Sequence, residues 1–155
     1  MPAALLATAL VALSLGQTLE SYGGTWIAEL AGTTYVRLEL RVSNGALGGR
    51  ISLGDIEVDS KGEVRTAAAA PRVLTPIFDV VVTQPYLAAR STSVVRSESI
   101  LSFSRKDGDD TVHFELKLAG DQAELSFLLT DADRRELAEN GGGVPKPFRL
   151  KRIAP

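Results

Sequence analysis

Apolar and polar residues alternate with period two along most of this chain, the pattern of β-strands that bury one face. Thr33 to Val42 places Val36, Leu38, Leu40 and Val42 on one face and Tyr35, Arg37, Glu39 and Arg41 on the other. Ser43-Asn44-Gly45 supplies an Asn-Gly turn, after which the chain returns through Ala46 to Leu53. Gly48 and Gly49 in the middle of that return predict a bulge or a sharp bend. Asp55 to Val58 and Glu63 to Thr66 flank Asp59-Ser60-Lys61-Gly62, a second hairpin by composition. Further on, Ile100 to Arg105 and Thr111 to Leu118 are joined across Asp107-Gly108, and Gly120-Asp121 turns the chain into Ala123 to Leu129. Three consecutive antiparallel strands are expected over Ile100 to Leu129. Phe103, Val112, Phe114, Leu116, Leu125 and Phe127 should be buried together, and His113 should face outward.

The alternation breaks in three places. Thr130 is a helix N-cap followed by acids in the first turn, which predicts a short helix over 131–139. Leu137 is its one large apolar anchor, and Asn140-Gly141-Gly142-Gly143 ends it, so it should lie on the surface. Between 67 and 97, Pro71, Pro76 and Pro85 each remove a ladder donor, leaving Ile77 to Val82 as the strand there. Tyr86 to Ser93 fits a loop, a helical turn or an edge segment equally, and region 67–97 is the expected lid or partner surface. At the other extreme, residues 1–16 carry no charged side chain and end in small residues, which predicts a secretory signal peptide cleaved before Gln17. The run falls short of the ~20 apolar residues of a membrane span, so no stable span is expected after cleavage. Residues 17–155 then form one domain, periplasmic or extracellular.

Meandering strands of this kind cannot bury a common face without curling. The expected fold is mostly β: an up-and-down antiparallel β-barrel of about eight to ten strands, with the 131–139 helix before the last strand. A β-sandwich is the alternative. Composition changes this picture little. The chain has no cysteine, hence neither disulfides nor cysteine-bound metal. Its net charge of −2, with acids and bases interspersed, gives no reason to expect nucleic acid.

The two ends carry a further signal. Gly24-Thr25-Trp26 opens the first strand and Phe148-Arg149-Leu150-Lys151-Arg152 closes the last. This pairing resembles the calycin barrels, which include lipocalins. The resemblance implies that Gly24, Trp26 and either Arg149 or Arg152 form the closure, with the guanidinium over the indole. The chain departs from lipocalins in lacking their midway Thr-Asp-Tyr element and in placing its helix ahead of the strand with the basic residue. It is more similar to small exported bacterial modules with Gly-x-Trp openings and Phe-x-Leu-x-Arg closings.

Catalytic constellations are weak. His113 is the one histidine, and no Gly-x-Ser-x-Gly elbow supplies a nucleophile for it. Asp107, Asp109 and Asp110 lack the spacing of a calcium loop, and Gly141-Gly142-Gly143 is not followed by the Lys-Ser/Thr of a phosphate loop. The assigned apolar faces contain no Asp, Glu, His, Lys or Arg, so chemistry inside the barrel is not expected, nor is a metal or cofactor. The leading expectation is a non-enzymatic exported module that binds a small apolar ligand or serves as an accessory domain. Candidate ligand-lining residues are Val36, Leu38, Leu40, Phe114, Leu116, Leu125 and Phe127. An interaction module with a solid core, meeting a protein partner through 67–97, is the second reading, and a hydrolase the third.

Overall fold

Strands form where the alternation runs, and eight of them close into a barrel. The computed structural model describes residues 19–83 and 99–153; the expected leader at 1–16 and the stretch Tyr86 to Ser93 lie outside the described residues. Strands β1 (Gly24–Leu30), β2 (Thr33–Ser43) and β3 (Ala46–Leu53) form a first meander. The chain then leaves the wall for a separate hairpin, β4 (Ile56–Val58) and β5 (Val64–Ala67), and returns beside β3 as β6 (Thr75–Thr83). A second meander, β7 (Ile100–Asp107), β8 (Asp110–Ala119) and β9 (Gln122–Phe127), leads through helix α1 (Asp131–Glu139) to β10 (Phe148–Ile153). The wall runs β1-β10-β9-β8-β7-β6-β3-β2 and closes on itself, so the barrel and not the sandwich is the fold. Among the described residues no helix is long and apolar enough to cross a membrane.

Turn chemistry sets the registers. Asn44 and Gly45 both take positive φ, 52° and 74°, as a two-residue hairpin whose twist matches its strands requires. From that turn β2 and β3 pair without interruption, from Ser43 with Ala46 to Val36 with Leu53. The bulge expected at Gly48 and Gly49 is therefore absent from this ladder. Gly49 serves a closer purpose, since a Cβ there would overlap the Glu39 carbonyl oxygen. A register shift does occur between β1 and β2 at Ala28/Glu29. It re-aims Tyr35, expected on the polar face, into the interior, where its ring meets Phe148 edge-on at 5.7 Å. In α1 the Thr130 hydroxyl accepts from the Asp133 backbone N–H while the Asp133 carboxylate accepts from the Thr130 N–H, a complete capping box. No residue of α1 is buried, as a lone Leu137 implies.

The inward side chains form one buried cluster. Phe103, Phe114, Phe127, Phe148 and Tyr35 form a series of touching rings with centroids 5.2 to 5.7 Å apart. Of the residues expected to be buried together, Val112 and Phe127 are partly buried and pack against this cluster. His113 faces outward while Phe114 is fully buried, so the register of the second meander is the expected one.

Closure rests on the two ends of the chain. Residues 19–22 make a helical turn beside the start of β1, with Tyr22 fully buried. The Trp26 indole N–H donates to the Tyr22 carbonyl at 2.9 Å, and the Tyr22 hydroxyl donates to the Ser99 carbonyl at 2.9 Å. Trp26 pairs with Arg152 across β1 and β10, and the Arg152 guanidinium carbon lies 4.5 Å from the indole centroid. The same guanidinium donates to the Ser21 carbonyl at 2.5 Å. Gly24 takes a φ of 122°, so a side chain there would be strained, and its α-carbon stands beside the Arg152 stem. Arg149 takes no part in the closure. Phe148 and Leu150 point inward, alternation puts Arg152 on their face, and Arg149 stands outside opposite Glu124.

Trp26→Ala is expected to cost about 3–5 kcal/mol, because the ring is fully packed. Arg152→Ala should cost about 1–2 kcal/mol for the cation–π contact and the hydrogen bond. In denaturant titrations the double variant should be less destabilised than the sum of the singles. Arg149→Ala should be nearly neutral; additivity of Trp26→Ala and Arg152→Ala would contradict the closure.

Candidate functional site

The seven apolar positions expected to line a ligand cavity belong to the packed interior. Val36, Leu38, Phe114, Leu116 and Leu125 are fully buried, Leu40 is almost so, and Phe127 is partly buried. The structure brings all seven together, in a cluster where side chains meet other side chains. The inward rows are less uniformly apolar than the sequence pattern implies. Arg105 continues the inward row of Leu101 and Phe103, with 15% of its side chain exposed, and Arg152 continues that of Phe148 and Leu150. Both sit at the ends of their rows, where a guanidinium leaves the core. Arg105 reaches Asp107 at 3.8 Å, and the Nε of each arginine is buried without a hydrogen-bond partner among the described residues.

His113 has a neighbour that its isolation in the sequence concealed. The Asp107-Gly108 hairpin sets Ser104 directly opposite His113, and the Ser104 hydroxyl lies 2.7 Å from His113 Nδ1. A nucleophile would need access and a base held by a third group. Ser104 is 4% exposed, and no carboxylate pairs with His113 among the described residues. The pair is a cross-strand clasp on the outer wall. Counting back from the Asp-Gly turn would have found it. Among the described residues no group of three His, Cys, Asp or Glu side chains is placed to hold a metal ion.

A polar arrangement with one carboxylate shared by two guanidiniums stands on the outside of β1, β2 and β3. Thr25 pairs with Glu39 and Glu39 with Arg50, while Ile27 pairs with Arg37 and Arg37 with Ser52. Glu39 is held by two guanidiniums, accepting from Arg37 Nε at 3.0 Å and from Arg50 Nη2 at 2.7 Å. The hydrogen bond from Arg50 is the main reason the Glu39 carboxyl titrates below its ordinary value of 4.5; partial desolvation opposes it, and Arg37 adds to the lowering.

The connector at 68–74 lies against this face. Ser52 Oγ donates to the Pro71 carbonyl at 2.6 Å, and the Ala70 N–H donates to the Thr34 carbonyl at 2.9 Å. Between connector and wall is an open concavity of about 680 Å³, with Ile27, Leu74 and Ile153 as its aliphatic part and Arg37, Arg50 and Arg72 as its basic part. A second concavity of about 710 Å³ shares Glu39 and Arg50 and continues along the sheet to Arg41 and Ser43. Arg72 and its neighbour Val73 carried no sequence signal beyond their place in region 67–97. Alternation places Arg37 and Glu39 on the outward face but leaves their contact hidden, because period two shows which side a residue is on and not which side chains meet there.

No protein-family model, no curated protein and no solved structure matches this chain.

Glu39→Gln tests the electrostatics of this face. A carboxyl whose folded-state pKa is lowered stabilises the fold fully above its ordinary value and loses that contribution as pH falls through the lowered one. Replacing it should therefore flatten the melting temperature against pH below about 4.5 and reduce stability slightly at neutral pH. Thermal melts across the acid range provide the measurement, and an unchanged profile would show that the two arginines contribute nothing through Glu39.

Proposed function

We propose that this chain is a non-enzymatic β-barrel module, exported by way of its 1–16 leader, that works through its outer surface. The observation that carries this reading is the packing of the lumen. Val36, Leu38, Phe114, Leu116 and Leu125 are fully buried in one cluster with Trp26 and with a series of aromatic rings. An eight-strand barrel is just wide enough for side chains to fill it, and a ligand inside would have to displace them. Of the two binding readings, this favours a solid core over a small apolar ligand in the lumen. Region 67–97 agrees in its described part, since the 68–74 connector stands on the outer face with Val73 84% exposed. A hydrolase is disfavoured because the Ser104 hydroxyl is buried and because no carboxylate among the described residues pairs with His113.

Titration with a neutral apolar fluorophore, N-phenyl-1-naphthylamine, tests the reading. The wild-type protein should give no saturable enhancement. Phe114→Ala should lose about 3–5 kcal/mol and open a dry void that admits benzene-sized molecules. Leu116→Ala provides a milder opening should Phe114→Ala fail to fold. Saturable one-to-one binding by the wild type, abolished by Leu116→Phe, would instead place a ligand in the lumen and overturn the proposal.

A further inference from the structure

The outward face of β1, β2 and β3 is a basic surface on a protein whose net charge is −2. Arg37 and Arg41 project from β2, Arg50 from β3 and Arg72 from the connector, and among the described residues Glu39 is the sole carboxylate lining the two concavities. Glu39 is already shared between Arg37 and Arg50, and no described residue pairs with Arg41 or Arg72. Beside Arg72, Val73 is 84% exposed, more than any other large apolar side chain among the described residues. It stands at the rim of the aliphatic part formed by Ile27, Leu74 and Ile153. Unpaired cations and an unpartnered aliphatic side chain therefore occupy one face, on a chain whose other described ion pairs, such as Lys151 with Glu29 and Lys146 with Glu63, join single opposite charges.

We propose that this face docks an extended acidic segment of a partner protein, with carboxylates on Arg41, Arg50 and Arg72 and one aliphatic side chain against Val73 and Leu74. The inference rests on the reading that the module works from its outer surface, and it names the partner chemistry. Charge complementarity decides the sign of the partner. Length decides its form: the two concavities follow β2 from Thr34 to Ser43, about 30 Å of strand, which matches an extended peptide of about nine residues. Both concavities are open along their length, whereas a small-molecule site encloses most of its ligand. The aliphatic part separates a peptide from a polyanionic glycan, which would leave Val73 and Leu74 unused. Glu39 holds Arg37 and Arg50 in place, so less side-chain freedom is lost when the segment arrives.

The test uses the full chain and a fluorescein-labelled peptide of alternating Asp and Leu, about nine residues long, read by fluorescence anisotropy. Saturable binding is expected, weakening about tenfold between low and physiological salt and beyond. Arg72→Glu should weaken it about tenfold with an unchanged melting temperature, since Arg72 is exposed and unpaired. Arg134→Glu on α1 should leave it unchanged. Val73→Ser, or Ser for Leu in the peptide, should weaken it several-fold. The absence of saturable binding, equal binding of a peptide with Lys for Asp, or indifference to Arg72→Glu would overturn the proposal. So would heparin binding as tightly as the peptide with the same indifference to Val73→Ser, which would make the face a general polyanion patch. Failure of this proposal leaves the fluorophore result untouched: a closed lumen with no peptide binding removes the acidic partner alone, and a ligand-filled lumen removes the outer-surface reading itself.

Discussion

An antiparallel sheet of eight short strands ends in two edges, and each edge is a row of unpaired backbone groups that invites another chain. In this protein β1 and β10 remove both edges by finding each other, and Trp26 beneath Arg152 marks the place where they do. The indole is fully buried, its N–H is satisfied by the Tyr22 carbonyl, and Arg152 lies over its face while reaching back to the Ser21 carbonyl. One residue pair thus joins the start of the chain's barrel, the helical turn at 19–22 and the first strand, to its last strand. The positive φ of Gly24 admits the Arg152 stem beside the entry to β1, and the alternation of β10 delivers Arg152 to the inner face.

Closure at eight strands fixes the width of the interior, and that width suits side chains that fill it. The lumen holds the aromatic series from Phe103 to Tyr35 and the aliphatic side chains around it, leaving the outer face as the part of the molecule with freedom to vary. The two inward arginines fit the same constraint. A charge within the lumen would have no water and no counter-ion, at a cost of several kcal/mol. Arg105 and Arg152 avoid it by standing at the ends of their rows, where a loop acid, a backbone carbonyl or solvent is within reach.

Much of this architecture was legible in the sequence because it is written in period-two alternation and in turns with defined chemistry. Asn44-Gly45, Asp107-Gly108 and Gly120-Asp121 fixed three hairpins, and with them the inward faces of β2, β8 and β9. The Gly-x-Trp opening and the basic closing strand pointed to the closed barrel, although choosing between Arg149 and Arg152 required knowing that Phe148 and Leu150 face inward. What escaped depends on contacts between segments. Tyr35 turns inward because β1 and β2 slip past each other at Ala28, a shift that no local pattern announces. Gly49 is required by the Glu39 carbonyl of the neighbouring strand and not by its own turn propensity. Arg72 gains meaning only because the connector folds back over a wall that already carries Arg37 and Arg50.

The weakest part of the wall and its most distinctive surface have one origin. Strands β3 and β6 share only the pairs Arg50 with Pro76 and Ile51 with Thr75, fewer than the three pairs of β1 with β10 and fewer than any other neighbours in the wall. Pro76 can sit there because it lies at the start of its strand, where a missing donor matters least. The chain between those strands leaves the barrel to form β4 and β5, and glycines allow the detour to pack closely. A Cβ on Gly54 would overlap the Ala68 carbonyl, and one on Gly62 would overlap the Val144 carbonyl of the segment leading into β10. Returning from that hairpin, the connector must cross the outer face of β1 to β3 to reach the start of β6, and it is anchored there through Pro71 to Ser52. A barrel that passed from β3 to β6 by a tight turn would have a longer ladder and a smooth outer wall. The detour exchanges ladder hydrogen bonds for a groove, and it brings Arg72 and Val73 to the one face where two further arginines already share a single glutamate.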